Sequence, residues 1–279
     1  MNTLRFVTEK LKAYLDFSFV FRLNIVLLLF FLVLLGYPAV TPHSIMVAVS
    51  FASLMAFIYL FNKVTDTNED SVNIKAGLLP EYLTRRVRLF SFLCLVLPIF
   101  YLAFYYQLLI PYLIVALLGF FYSFKLRIGD RIIRLKQLLA IKNITSAFIW
   151  TIPPTAVRII ETNTPNISIF IISCVIFFAT FAIEAIWDIR DIEGDRQFGI
   201  RTFANRWGYP VAKKIAIASL SISLILSFIG SNAPTMLALV ISIVFVAYAS
   251  PFRHSWFYHS LVLIWVLATS LSIAMRILV

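Results

Sequence analysis

The chain has 279 residues, of which 61% are hydrophobic and 13% charged, with 27 Phe and a mean hydropathy of +0.93. A soluble domain carries about half apolar and about a quarter charged residues, so a soluble enzyme, a disordered chain and a collagen-like fibre are excluded. The net charge of +11 must lie in loops, and with no soluble domain to hold nucleic acid it points to a membrane surface or an anionic substrate.

Residues 3–16 (TLRFVTEKLKAYLD) space Leu4, Val7, Leu11 and Tyr14 by three and four, which predicts an amphipathic helix on the cytoplasmic surface; a polar tail is the other reading. Apolar runs of about 20 residues follow, long enough to cross the hydrocarbon core. They predict an all-α polytopic membrane protein with nine transmembrane helices, at 20–41, 43–62, 89–106, 108–124, 138–158, 167–188, 210–229, 233–250 and 260–278. The dyad alternation of a membrane β-barrel is missing. The first run is too long for a signal-peptide core, so the N-terminus is expected to be retained. Residues 1–279 read as one membrane domain, 1–19 being the cytoplasmic segment and 20–279 the bundle.

Basic residues concentrate at the N-terminus, at 63–88, 125–142 and 190–214, and at Arg253. The positive-inside rule puts these loops and the N-terminus in the cytoplasm, as for a prokaryotic plasma membrane. Cys94 and Cys174 fall inside apolar runs and suggest neither a disulfide nor a zinc site.

The chemistry concentrates where the second and sixth spans emerge. FNKVTDTNED (61–70) places Asn62, Asp66 and Asp70 at spacings of four, and on a helix that keeps them on one face. WDIRDIEGDR (187–196) places Asp188, Asp191 and Asp195 at offsets of three and seven, again one face. An even number of crossings separates the segments, so both emerge on the same side. Five aspartates and an asparagine form an oxygen-rich cage suited to Mg²⁺, which often bridges carboxylates to a substrate phosphate. The other reading, that cytoplasmic helix ends are simply charged, does not account for two single-face spacings.

Polar residues inside the spans are the second signal. Arg22 and Asn24 lie in the first span and Asn143 in the fifth. Groups at such depth face a cavity or a partner, although Arg22 can also snorkel to the interface. Glu184 lies one turn before Asp188, as a partner of a basic residue or a member of the site. His254 and His259 are five apart, on different faces, which suits structural roles rather than a metal pair.

The paired acidic segments resemble the aspartate-rich motifs of the UbiA superfamily of intramembrane prenyltransferases, whose members carry them after the second and sixth of nine helices. FYSFKLRI (121–128) and GDRQFGIRTFANRWG (194–208) are similar to further family stretches. Two departures stand out. Tyr122 is followed by Lys125 and Arg127 rather than by a lysine four residues on. NIKAGLLP (73–80) replaces the family's Arg-Pro-Leu stretch, leaving Lys75 as the nearest cation.

The resemblance implies Mg²⁺-dependent transfer of a prenyl group from a polyprenyl diphosphate to a lipophilic or aromatic acceptor, with release of diphosphate. It implies metal ligation by Asn62, Asp66, Asp70, Asp188, Asp191 and Asp195, with Asp66, Asp188 and Asp191 catalytic. Lys75, Lys125, Arg127, Lys142, Arg201 and Tyr122 would hold the diphosphate, and Arg22, Asn24 and Asn143 the acceptor. A membrane terpene cyclase of the same superfamily is the alternative. A transporter fits less well, because its ions bind near the midplane whereas these acids sit at the membrane edge.

Overall fold

The computed structural model describes residues 22–66, 72, 81–128, 131–230 and 233–278. The surface helix expected over 3–16 lies outside them, as do Asp70 and Lys75. The described residues form α1 (Leu23–Leu34), α2 (Pro42–Thr65), α3 (Glu81–Leu102), α4 (Tyr106–Ser123), a hairpin of β1 (Leu126–Ile128) and β2 (Arg131–Ile133), and a 3₁₀ turn (Leu135–Gln137). Then come α5 (Ile141–Thr162), α6 (Ile167–Arg190), the short α7 (Ile192–Gln197) and α8 (Phe203–Trp207), α9 (Tyr209–Gly230), α10 (Ala233–Tyr248) and α11 (Ser255–Leu278). The hairpin pairs Leu126 with Ile133 and Ile128 with Arg131.

Local chemistry sets the boundaries. The Thr41 hydroxyl accepts from the Ser44 amide, the Ser44 side chain caps back on Thr41, and Pro42 is pre-set for the first turn of α2. The Asn166 side chain accepts from the Ile169 amide to start α6. Thr202 and Asn205 make a second capping box at α8. Asn163 ends α5 in the left-handed region at φ 53°, which asparagine tolerates.

Five helices (α2, α4, α6, α9 and α11) are long and apolar enough to cross a membrane, and α1 and α10 are apolar but shorter. The other two long helices carry charge inside their bounds. α3 starts at Glu81 rather than 89 because it continues past its apolar stretch through Thr84, Arg85, Arg86 and Arg88. α5 holds Lys142, Asn143 and Arg158. Exposed Leu97, Phe100, Ile225 and Leu267 face outward, where lipid tails would lie.

Successive long helices pack on one another, α6 most extensively against α5 and α9, and α11 returns to α1. The long helices thus close into a ring around a shared interior. Close approach needs small residues where hydrophobic driving force is weak. Gly119 of α4 supplies one, since a Cβ there would run into the Ile58 side chain of α2.

Candidate active site

The cytoplasmic ends of α2 and α6 meet across the start of α5. Asp66 follows the last turn of α2, its amide bonded to the Asn62 carbonyl at 2.9 Å. Its carboxylate is buried between two cations from the segment after the hairpin. Lys136 makes an ion pair with Oδ2, and Arg134 Nη1 donates to Oδ1 at 3.3 Å. One turn earlier, Asn62 Oδ1 accepts from the Ser123 hydroxyl at the end of α4 (2.7 Å).

On α6, Asp188 is 1% exposed, too buried to stay charged without a partner. Lys142 Nζ lies 2.6 Å from Asp188 Oδ1 and 3.0 Å from Asp195 Oδ2, bridging α6 and α7. Asn143 Nδ2 donates to Asp188 Oδ2 at 3.0 Å. Asp191 accepts two hydrogen bonds from Arg190, Nε to Oδ1 at 2.7 Å and Nη2 to Oδ2 at 2.8 Å. Glu184, one turn below Asp188, accepts from the Ser146 hydroxyl at 2.8 Å. Burial pushes the Asp195 carboxyl up to about 6, with the neighbouring Asp188 and Asp191 charges adding to it and Lys142 opposing.

These groups line one cavity. Asn62, Asp66, Asp188, Asp191 and Asp195 all reach it, with Lys142, Tyr122 and Arg22 from the expected set. Among the described residues, five carboxylates (Glu184 is the fifth) share the lining with five cations: Arg22, Lys63, Lys136, Lys142 and Arg190. Lys125 and Arg127 are exposed and do not line it, because the chain turns into the hairpin after Ser123. Arg201 is also exposed, with its amide donating to the Gln137 carbonyl at 3.3 Å. The cations that do face the aspartates from this side are Arg134 and Lys136. Among the described residues, no three His, Cys, Asp or Glu side chains lie together closely enough to hold a metal ion, since each aspartate is clasped by a cation.

A polar relay sits at the edge of the cavity. Arg22 Nη1 meets His259 Nε2 at 3.0 Å, and the Asn24 amide meets His259 Nδ1 at 3.3 Å. Arginine only donates, so Nε2 accepts and Nδ1 carries the proton; the Asn24 group facing Nδ1 is then assigned as its oxygen, the acceptor that this proton requires. The Arg22 guanidinium also lies 5.7 Å from the Trp187 ring centroid, and that of Arg190 5.3 Å. Of the three residues expected to meet an acceptor, only Arg22 lines the cavity, while Asn24 orients His259 and Asn143 orients Asp188. His254 lies apart and exposed, accepting from the Trp256 amide.

Below this site an almost wholly apolar cavity continues inward. Tyr59, Glu184 and Trp187 line both spaces, and Ile25, Leu28, Trp150, Val262 and Trp265 wall the lower one. Sequence reasoning missed Lys63, Arg134, Lys136, Arg190, Ser146 and Tyr59. Arg190 and Lys63 carried a usable signal, being cations adjacent to the motif residues. Nothing local in the sequence marks Lys136.

The sequence profile of the UbiA prenyltransferase family matches residues 23–261. The chain belongs to the UbiA prenyltransferase family. No curated protein matches it. Among solved structures, a UbiA homologue from Archaeoglobus fulgidus bound to GPP and Mg²⁺ is similar at 16% identity and a TM-score of 0.67, covering 93% of this chain and 99% of that one. A UbiA homologue from Aeropyrum pernix K1, in its apo form, is 14% identical with a TM-score of 0.65, covering 92% and 98%. A structure of digeranylgeranylglyceryl phosphate synthase is 18% identical with a TM-score of 0.57, covering 95% and 99%. These likenesses show the UbiA fold.

Proposed function

We propose that this UbiA-family protein transfers a prenyl group from a polyprenyl diphosphate to a lipophilic or aromatic acceptor within the membrane, with Mg²⁺ as cofactor. The observation that carries the reading is the charged cavity at the ends of α2 and α6, which shares Tyr59, Glu184 and Trp187 with an apolar one. An anionic head and a hydrocarbon tail need that sequence of environments. A. fulgidus homologues of this fold bind DMAPP or GPP together with Mg²⁺, which supports it.

The donor set fits the cation by its chemistry. Asn62, Asp66, Asp188, Asp191 and Asp195 offer oxygen ligands, and among the described residues no His or Cys lines the cavity, which suits a hard ion. Asp70 joins that set as a proposal from its spacing. These oxygen ligands would hold the ion, and what it would supply when bound is neutralisation of the charge on a leaving diphosphate. The described lining has as many cations as carboxylates, so a bare diphosphate leaves surplus negative charge in a buried site, and a divalent cation entering with it removes most of that surplus.

Lys136, Lys142 and Arg190 now hold the aspartates, and they are the cations placed to take up diphosphate oxygens and stabilise the developing negative charge. Tyr59, Trp150 and Trp187 line the apolar cavity, where aromatic rings would stabilise an allylic cation and exclude water. Arg22, held by His259, is the group on which an acceptor's oxygen would orient, and Asp191, which lines the same cavity, would take the final proton. The nine crossings, with the aspartate end cytoplasmic, belong to the same reading.

The test is incubation of purified protein with Mg²⁺ and C10 to C20 diphosphates, with and without candidate phenolic or quinoid acceptors, following diphosphate and lipid products by mass spectrometry. Acceptor-dependent prenylation, abolished by chelator and by Asp188→Ala or Asp66→Ala, is the expected result. Rapid acceptor-independent formation of a cyclic hydrocarbon or alcohol would make the protein a terpene cyclase instead. For orientation, a single cysteine at 163 in a variant lacking Cys94 and Cys174 should be labelled only from outside the cell, and one at 130 only from inside.

A further inference from the structure

At the end of the bundle away from the aspartates lies a second cavity, between the ends of α1, α5 and α11 and the start of α6. Its walls are apolar, formed by Leu32, Ile172, Ile176 and Trp265, and two cations line it, Arg158 and Arg276. Among the described residues neither arginine has a carboxylate within ion-pair distance, and the charged neighbour acting on Arg158 is Arg276 itself. Arg276 is fixed in place, because its Nη1 donates to the Leu35 carbonyl at 2.9 Å and the Tyr37 carbonyl at 3.4 Å. Two like charges therefore share one apolar cavity, and its described lining includes no carboxylate. Arginines that merely snorkel to the interface gain nothing from sharing a cavity, and their repulsion favours splaying them apart. The cavity also carries hydroxyls, with Thr155 donating to Ser173 at 2.7 Å while Ser173 donates to the Ile169 carbonyl.

We propose that this cavity binds an anionic amphiphile, its phosphate head held by Arg158 and Arg276 and its hydrocarbon chain lying along Ile172, Ile176 and Trp265. The guanidinium fork suits the oxygens of a phosphate. A free anion would fill only the mouth and leave the apolar wall bare, whereas a lipid covers both. Leu32, Ile176 and Trp265 also line the apolar cavity below the aspartate site. The chain of this ligand thus lies against the far wall of the space proposed for the prenyl tail. The site stands on the cavity and its two cations and does not depend on the reaction assigned above.

Native mass spectrometry of the full-length protein in mild detergent tests this, after exchange with phosphatidylglycerol or phosphatidylcholine micelles and with inorganic phosphate as competitor. The wild type should retain phosphatidylglycerol over phosphatidylcholine, and millimolar inorganic phosphate should not displace it. Arg158→Gln, which removes no backbone contact, should weaken that retention about tenfold, the scale of a lost charge-assisted pair, at an unchanged melting temperature. Arg158→Lys should restore most of it. Equal retention of the two lipids, or full retention by Arg158→Gln, would overturn the proposal. Displacement by inorganic phosphate would also overturn it, showing an anion site without a lipid.

Discussion

The two acidic helix ends read alike in sequence and are held differently in the structure. Asp66, at the end of α2, is clasped from outside the bundle by Arg134 and Lys136, side chains of the connection between α4 and α5. Asp188 and Asp195 are clasped from within, by one lysine at the start of α5. Among the described residues, the first arrangement sets two cations on one carboxylate and the second sets one cation on two. Asp66 therefore keeps a described cation when either one is lost, whereas Asp188 keeps only the Asn143 amide. A buried carboxylate that loses its sole partner suffers the full desolvation cost, whereas one that keeps a second partner loses only part of its compensation.

The largest effect should come from removing the shared cation. Lys142→Met leaves Asp188 and Asp195 buried with Asn143 as the remaining donor to Asp188. Breaking a buried pair from one side costs about 3–5 kcal/mol, so thermal unfolding in detergent should shift down by many degrees and prenyl transfer should vanish. A Lys142→Met protein as stable as wild type would show that the aspartates there are neutral.

Next is the pH response of the same end. Burial raises the Asp195 carboxyl to about 6, above its unfolded value, so the folded state holds the proton more tightly. The stability this confers is complete below the unfolded value near 4 and is lost as pH rises through 6, a loss on the order of 3 kcal/mol. Melting curves in chelator should fall between pH 4 and 6, and Asp195→Asn should flatten that fall by removing the titrating group. An identical slope in the variant would locate the titration elsewhere.

At the other end the second cation should show. Lys136→Ala leaves Arg134 on Asp66, so the stability loss should be about 1–2 kcal/mol, smaller than that of Lys142→Met. Turnover should drop by about 10²-fold if Lys136 also meets diphosphate oxygens, with the Michaelis constant for the prenyl diphosphate rising. Lys136→Arg should recover the stability more fully than the rate. Combining Lys136→Ala with Arg134→Ala should then reproduce the severity seen at Lys142.

The contrast also shows what a sequence reveals. Asn62, Asp66, Asp188, Asp191 and Asp195 were legible because they interrupt apolar runs at helical spacing, a local property. The helix ring was legible for the same reason, apart from α1, shorter than its apolar run, and α3, longer than its own. Lys136 was not legible, since it lies 70 residues from Asp66 and reaches it only because the hairpin folds back after α4. Lys125 and Arg127 were the plausible candidates by spacing, and the same hairpin leaves them exposed. The Arg22–His259 contact spans 237 residues and depends on α11 returning to α1, a closure that no local pattern encodes.

The smallest expected effect bears on whether the α2 end holds a metal at all. Ser123 ends α4 and its hydroxyl donates to Asn62 Oδ1 at 2.7 Å, fixing the amide within the cavity lining. A carbonyl oxygen has two lone pairs, so this bond leaves one free for a cation. Ser123→Ala removes the constraint without removing the ligand. If Asn62 serves the metal, the apparent Mg²⁺ requirement should rise by about fivefold, equivalent to the ~1 kcal/mol of a neutral hydrogen bond, with turnover at saturating Mg²⁺ unchanged. Ser123→Thr keeps the donor and should restore the Mg²⁺ response. If Asn62 only ties α2 to α4, the melting temperature should drop by a similar free energy while the Mg²⁺ titration stays where it was. The two measurements on one variant thus separate a ligand held in place from a helix contact, at the end of the site where Arg134 and Lys136 make single losses tolerable.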